Sequence, residues 1–366
     1  MSRRPSPTGN SDVIYSVGRV NLQENIPLAP LTTLQVGGPA RYFVEASNVD
    51  EVREAVEFSR TKNLPVFVLG GGSNLVVSDA GWPGLVLKIG INGINHHHGS
   101  PVVFEAGAGE EWDNFVAMTV THQCAGLECL SGIPGSVGGT PVQNVGAYGQ
   151  EVSESIAYLQ ALDLTTLECV ELTKEECGFQ YRTSIFNGTE RGRYIILRVS
   201  YGLRFHGEPK IAYADLKRYF AGWSTTPTLA QTREAVREIR ASKGMLIRPE
   251  DEDCRSAGSF FKNPVLDRDQ HAQLEKKAAE RGLKIPSYPA LESQHKVSAA
   301  WLVEHSGFVK GYSAGSVGIS HKHSLALINR GTAKAADVIA LKEEIQSRVE
   351  QTWGILLQPE PVFVGF

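Results

Sequence analysis

The stretch SGIPGSVGGTPVQNVGAYG, residues 131–149, sets six glycines and two prolines within nineteen positions. A segment so poor in side chains cannot repeat an apolar residue at helical or strand spacing, so it has to run as one long loop. An ordered loop of this length inside a compact domain is usually functional and needs something to hold it. What it can offer is backbone N–H groups together with the donors of Ser136, Thr140 and Asn144, a set that suits a polyanionic ligand.

A second glycine run, GGGSN at 70–74, follows the apolar LPVFVL. At the end of a strand, such glycines take positive φ and present consecutive N–H groups as an anion nest. A diphosphate fits a nest of this kind, and a tight turn without a ligand would carry the same letters. GAGEEW at 107–112 begins like G-x-G-x-x-G, but Trp112 stands where the third glycine belongs, so a Rossmann fingerprint is rejected.

The 366 residues suggest two or three domains. Asn48 and Glu51 form an expected capping box for a helix over VDEVREAVEFSRTKN, with Val49, Val52, Val56 and Phe58 toward the core. Then LPVFVLGGGSNLVVSDAGWPGLVLKIG reads as strand, glycine turn and two further strands, completing a β-α-β-β unit. From Val102 the runs are short and β-rich, broken by one helix around EEWDNFVAMTVTHQ, as in a second α+β lobe. GWSTTPTLAQ leads into a helix over LAQTREAVREIRASK that buries Val236 and Ile239. The last long helix, AADVIALKEEIQSRVEQTW, spaces Val338, Leu341, Ile345 and Val349 for one face. The expected division is a flexible lead-in over 1–30, one lobe over 31–95, a second over 96–206 and a third unit over 207–366.

A net charge of −4 gives no electrostatic reason to expect nucleic acid or an anionic membrane as partner. No apolar run approaches the roughly 18 residues that span a bilayer. MSRRPSPTGNSD lacks the apolar stretch of a signal peptide. Five cysteines, odd in number and never spaced C-x-x-C, imply free thiols in a reducing, cytoplasmic compartment. Cys129 reads as buried filler. Histidines 96–98 read as an exposed loop, and no metal is expected there. His321 and His323 read as a pocket rim or sheet face, with a two-ligand metal site left open.

RSAGSFFKNP, residues 255–264, places the Ser259 hydroxyl between a glycine and two phenylalanines. Phe261 occupies the position of the second glycine of a G-x-S-x-G elbow, so a hydrolase nucleophile is a poor fit. A local hydrogen bond to the main chain is the ordinary use of such a serine.

Taken in order, NLVV after GGGS, SGIPGSVGGTPVQNVGAYG, YRTSIF at 181–186, SAGSFFKNP and QPEPVFVG resemble the UDP-N-acetylenolpyruvoylglucosamine reductases. The likeness runs from about Leu31 to the C-terminus. It implies an α+β chain: a two-lobed FAD-binding domain of the vanillyl-alcohol-oxidase (PCMH) type, then an α+β substrate-binding C-terminal domain. It also implies reduction of an enolpyruvyl ether to the lactyl ether of UDP-N-acetylmuramate, in peptidoglycan synthesis, with NADPH recharging the FAD.

In that chemistry, hydride delivered to the terminal alkene carbon leaves a carbanion beside a carboxylate. By resemblance Ser259 protonates it; Phe260 and Phe261 then read as a dry wall, although core packing would look the same in sequence. Arg182 and Glu360 match the family's catalytic arginine and glutamate. Glu360 has to carry a proton to assist a growing anion, which calls for a raised pKa in an enclosed site. The cofactor contacts implied are Gly70, Gly71, Gly72, Ser73 and Asn74 in the first ribbon. In the second they are Gly132, Ile133, Pro134, Gly135, Ser136, Gly138, Gly139, Asn144, Gly146 and Ala147. The substrate contacts implied are Tyr181, Tyr213, Lys243 and Asn263, although Lys243 also suits a helix C-terminus for electrostatic reasons alone. Small-molecule partners and a monomer are expected. An FAD-dependent oxidase or dehydrogenase of a small alcohol or sugar, and a non-redox nucleotide-sugar binding protein, are the competing readings.

Overall fold

The computed structural model describes residues 14–17, 20–248, 250–289 and 294–366. Its first sheet has five strands in the order Ile14–Val17, Val20–Pro27, Pro39–Ala46, Trp82–Ile89, Val66–Leu69. The last three are parallel, joined through the helix Val49–Thr61. Asn48 caps that helix by accepting the Glu51 N–H at 3.0 Å, whereas the Glu51 carboxylate accepts the Ser47 N–H and the Asn48 side-chain amide, each at 2.7 Å, and not the Asn48 backbone N–H. Helix entry is therefore capped as expected, one residue out of register on the return bond.

The lead-in expected over 1–30 is corrected. Residues 1–13 lie outside the described residues, but 14–17 and 20–27 are strands of the first sheet. Val20 and Leu22 alternate inward and are buried, which gives this mostly polar stretch its reason to pair.

The second lobe is an antiparallel sheet ordered Cys169–Thr173, Ile156–Asp163, Tyr194–Phe205, Val102–Gly107, Ile94–His97, with Cys124–Ala125 pairing aside on Tyr194–Phe205. His96 and His97 thus sit in an edge strand, exposed, and not in a loop. The helix Trp112–Thr121 packs into one core shared by both lobes, where Val44, Val52 and Leu85 of the first meet Phe104, Phe115 and Tyr201 of the second. A shared core makes the two lobes a single packed body.

A separate core gathers Phe260, Phe261, Leu302, Phe308, Leu341, Ile345 and Trp353, and it also takes Leu34, Val36 and Val76 from the first lobe. Val338, Leu341, Ile345 and Val349 are buried there along the helix Ala335–Trp353. The chain then returns, and Val362–Val364 pairs in parallel with Leu75–Val77. The expected third unit is corrected at its start: the helices Ala214–Tyr219 and Leu229–Ser242 belong to the second lobe. Their Leu216, Phe220, Ala235 and Val236 pack on Cys129 and Tyr148.

Candidate active site

The two glycine-rich segments lie against each other. A Cβ on Gly71 would stand 2.4 Å from Gly135 Cα, and one on Gly138 would stand 2.5 Å from Ala108 Cβ. Real atoms need about 3.5–4.0 Å, so glycine is required by proximity at both positions. The N–H groups of Gly70, Gly71, Gly72, Ser73 and Asn74, and those of Ile133, Gly135 and Ser136, meet no protein acceptor among the described residues. Adjacent open N–H groups of this kind form a seat for a diphosphate, and this donor set fits FAD.

Segment 107–112, rejected as a dinucleotide motif, serves as a rail for the second ribbon. Trp112 donates to Gly135 O at 3.1 Å, Val137 to Glu110 O at 2.9 Å and Gly138 to Ala108 O at 2.9 Å. Gly132 and Gly139 give their N–H groups to Asp113 and to Ser136 O, so they shape the ribbon without offering those donors to a ligand. Pro134 has no N–H to give.

Two side chains expected as ligand donors are corrected. Asn144, buried at φ 44°, donates to Glu151 Oε2 at 2.9 Å and Gln180 O at 3.0 Å and accepts from Ser153 N at 3.2 Å. Thr140 donates to Val137 O at 2.8 Å and lies 3.0 Å from the Tyr201 hydroxyl. Both are already saturated by protein. Gly146 gives its carbonyl to Arg182, and Ala147 pairs with Gln150 in a short hairpin.

The strand Ser256–Ser259 pairs with Ala326–Asn329 so that Ser256 faces Ile328 and Ser259 faces Ala326. One residue more on the first strand than on its partner makes a bulge, and Gly258 at φ 72° absorbs it. The bulge falls just before Ser259, which is half-buried and whose hydroxyl has no hydrogen bond among the described residues. Directly after it, Glu360 N–H donates to Phe260 O and Lys262 N–H to Gln358 O, each at 2.9 Å. These bonds lay residues 358–360 beside 260–262. Asn74 then holds the same segment to both ribbons, donating to Glu360 O at 3.2 Å and to Gln143 Oε1 at 2.6 Å.

Arg182 completes the cluster. It sits at φ 56°, an uncommon conformation for a non-glycine residue, and donates through Nη2 to Gly146 O at 2.7 Å. Its Nε lies 3.1 Å from Glu360 Oε1, but the N–H is not aimed along that line and forms no hydrogen bond. The two groups stand in contact, and the Arg182 Nε–H is left without a protein acceptor. Burial pushes the Glu360 carboxyl above its ordinary range, against the opposing charges of Arg182 and Lys262. Of the two uses open to Phe260 and Phe261, they take core packing: they are 0% and 2% exposed and pack within the C-terminal core.

Tyr181 brings in a group with no signature in the sequence. The Lys296 ammonium, on the strand His295–Val297, stands 3.8 Å from the Tyr181 ring centroid. Burial lowers the Lys296 pKa and Arg182 adds to this, with Glu151 opposing. The remaining residues form a second group. Tyr213 meets Tyr148 edge to face at 5.6 Å, and Lys243 pairs with Asp215 at 2.5 Å while lying 5.6 Å from the Tyr148 ring centroid. Asn263 stands apart from both, its Oδ1 accepting the Ala299 N–H at 2.9 Å at the start of a helix, which leaves its amide nitrogen for a ligand. His321 pairs with Asp253 at 3.3 Å, whereas His323 accepts the Leu325 N–H at 3.1 Å. Burial, with Lys243 and Lys310, pushes His323 down to about 4, so it is neutral at pH 7.

Comparison with known proteins agrees with this geometry in both halves of the chain. Residues 40–170 match the FAD binding domain family, and residues 248–364 match the family described as UDP-N-acetylenolpyruvoylglucosamine reductase, C-terminal domain. The UDP-N-acetylenolpyruvoylglucosamine reductase of Thermobifida fusca is 44% identical over 93% of this chain and 97% of its own. That of Streptomyces avermitilis is 43% identical over 100% of this chain and 99% of its own. Among solved structures, the reductase of Thermus caldophilus superposes with a TM-score of 0.64 at 25% identity, covering 94% of this chain and 99% of that one. An α+β flavoprotein fold, an anion seat of paired glycine ribbons and full-length relatives lead to one assignment: the chain belongs to the UDP-N-acetylenolpyruvoylglucosamine reductase family.

Proposed function

We propose that this chain reduces UDP-N-acetylenolpyruvoylglucosamine to UDP-N-acetylmuramate in peptidoglycan synthesis, with FAD as resident cofactor and NADPH as reductant. The observation that carries the reading is the meeting of three segments remote in sequence. The strand ending at Ser259, the Glu360 segment and Arg182 converge beside the first glycine ribbon, which supports the reading that these three residues act together. We propose that the two lobes hold FAD and that the remainder of the chain supplies most of the UDP-sugar site.

Held by the two glycine ribbons, FAD would supply the hydride chemistry, with NADPH as the source of electrons and the terminal carbon of the enolpyruvyl group as their destination. The chain's residues do the rest. Arg182 faces the substrate carboxylate, where a planar guanidinium is well matched. Glu360, whose carboxyl burial shifts toward its protonated form, is assigned as a hydrogen-bond donor to the same growing negative charge. Ser259 Oγ gives its proton to the carbon beside the carboxylate and regains one from solvent, which closes the balance of one hydride and one proton. Lys243 and Tyr213 are assigned to the diphosphate, Tyr181 to the sugar side and the free amide of Asn263 to the nucleotide.

Among the described residues no helix is long and apolar enough to cross a membrane. All five cysteines are free thiols, which supports a reducing compartment, and we propose a cytoplasmic monomer acting on small molecules. Anaerobic mixing of the NADPH-bleached protein with the enolpyruvyl UDP-sugar tests the function. Rapid return of the yellow absorbance is expected. A flavin that stays bleached but reoxidises in air would favour the oxidase reading, and a colourless purified protein would favour simple nucleotide-sugar binding.

A further inference from the structure

Arg233, Arg237 and Arg240 share one face of the helix Leu229–Ser242, and all three close on the first peptide of the second glycine ribbon. The Asp113 carboxylate accepts from Arg233 at 2.6 and 2.9 Å and from Arg237. The same carboxylate accepts the Gly132 N–H at 2.6 Å. On the other side of that residue, Arg240 Nε donates to Gly132 O at 3.0 Å, and Arg240 Nη2 donates to Met245 O at 2.6 Å. Gly132, at φ 71°, is thus gripped through both its donor and its acceptor by groups that this one helix supplies or orients.

Arg240 is only 8% exposed, and its hydrogen-bond partners are carbonyls with no carboxylate among them. A buried guanidinium stays charged, and the carbonyl dipoles that satisfy it are fixed in place by that charge. The helix ends at Lys243, less than one turn beyond Arg240, and Lys243 reaches toward Tyr148 in the same ribbon. A displacement of this last turn would therefore be felt at Gly132.

We propose that Arg240 is a positioning residue coupling the FAD seat to the UDP-sugar site: it locks the Gly132 peptide, and ligation of a diphosphate at Lys243 tightens the lock. The proposal rests on the reading that the ribbons hold FAD and that Lys243 meets the diphosphate. Coupling between two ligands is reciprocal, so UDP must strengthen FAD binding by the same factor by which FAD strengthens UDP binding.

The test measures the FAD dissociation constant by flavin fluorescence, with and without saturating UDP, on the wild type, Arg240→Met, Arg240→Lys and the helix-surface control Glu234→Gln. The wild type and the control are expected to bind FAD about fivefold or more tighter with UDP present. In Arg240→Met that factor should fall below about twofold, with Arg240→Lys in between, since a lysine keeps the charge but cannot serve both carbonyls. A purely structural role would lower thermal stability while leaving the factor intact. Retention of the full factor in Arg240→Met overturns the proposal. So does a wild type that binds UDP with no change in FAD affinity, a result that does not depend on how any variant folds. A wild type that binds no UDP removes the reading of the diphosphate site, and this inference with it.

Discussion

Gly71→Ala isolates the closeness of the two ribbons from every other property of glycine. Gly71 does not use positive φ, so alanine is acceptable to its own backbone and meets its obstacle only in the facing ribbon. The added methyl would lie 2.4 Å from Gly135 Cα and 2.9 Å from Ser136 N, where contact needs about 3.5–4.0 Å. Both obstacles are main-chain atoms, so no side chain can rotate away, and the ribbons have to part by about 1 Å. Overpacking of this kind costs about 1–3 kcal/mol. If the strain falls on the FAD seat, affinity drops by about fivefold to a hundredfold. Gly90→Ala is the matched control, because the nearest neighbours of its methyl would be the flexible Glu45 side chain at 3.2 Å and the Ala46 carbonyl at 3.4 Å. Apo-protein titrated with FAD and followed by flavin fluorescence reads the difference. An FAD dissociation constant for Gly71→Ala within twofold of the control would refute the argument that these ribbons seat the cofactor.

Asp79, in the first lobe, accepts the Ala335 and Ala336 N–H groups at 2.8 and 3.0 Å and so caps the last helix from another domain; Asp79→Ala should cost about 1–2 kcal/mol in urea unfolding with turnover per folded molecule unchanged. Asn144→Ala removes a buried hub and leaves Ser153 N–H and Gln180 O without their partner, so a loss of at least about 1–3 kcal/mol is expected in the same assay. Glu360 is raised in the fold, so its protonated form is the one the fold favours. The stability it lends is complete below the ordinary carboxyl range near 4.5 and is lost as pH rises through the higher folded value. Thermal melts of wild type and Glu360→Gln across pH 4 to 8 should therefore diverge in favour of the variant as pH rises, and parallel curves would count against a raised carboxyl.

The parts of this fold most legible in sequence were those in which a local rule and the tertiary structure agree. Asn48 before an apolar-periodic run did cap a helix, and Val338, Leu341, Ile345 and Val349 did face one core. The glycine ribbons were visible for a related reason, since close approach of main chains leaves no alternative residue at Gly71 or Gly138. What stayed hidden depended on partners distant along the chain. Leu216 and Val236 show one apolar face each, but nothing local states that the face belongs on Cys129 and Tyr148. Segment 107–112 works through its backbone, which letters do not reveal. Thr140 and Asn144 look like free donors until the protein groups that consume them are known. Lys296 is an ordinary strand residue whose significance comes from folding opposite Tyr181, more than a hundred positions away.

A single variant probes the chemistry at its centre. Ser259→Ala, studied by anaerobic stopped flow, separates loading of the flavin by NADPH from its discharge by the enolpyruvyl UDP-sugar. Loading at the wild-type rate, with discharge slowed by about 100-fold or more, is the predicted result for a lost proton donor. Discharge at the wild-type rate, or equal slowing of both steps, would contradict the assignment of that hydroxyl.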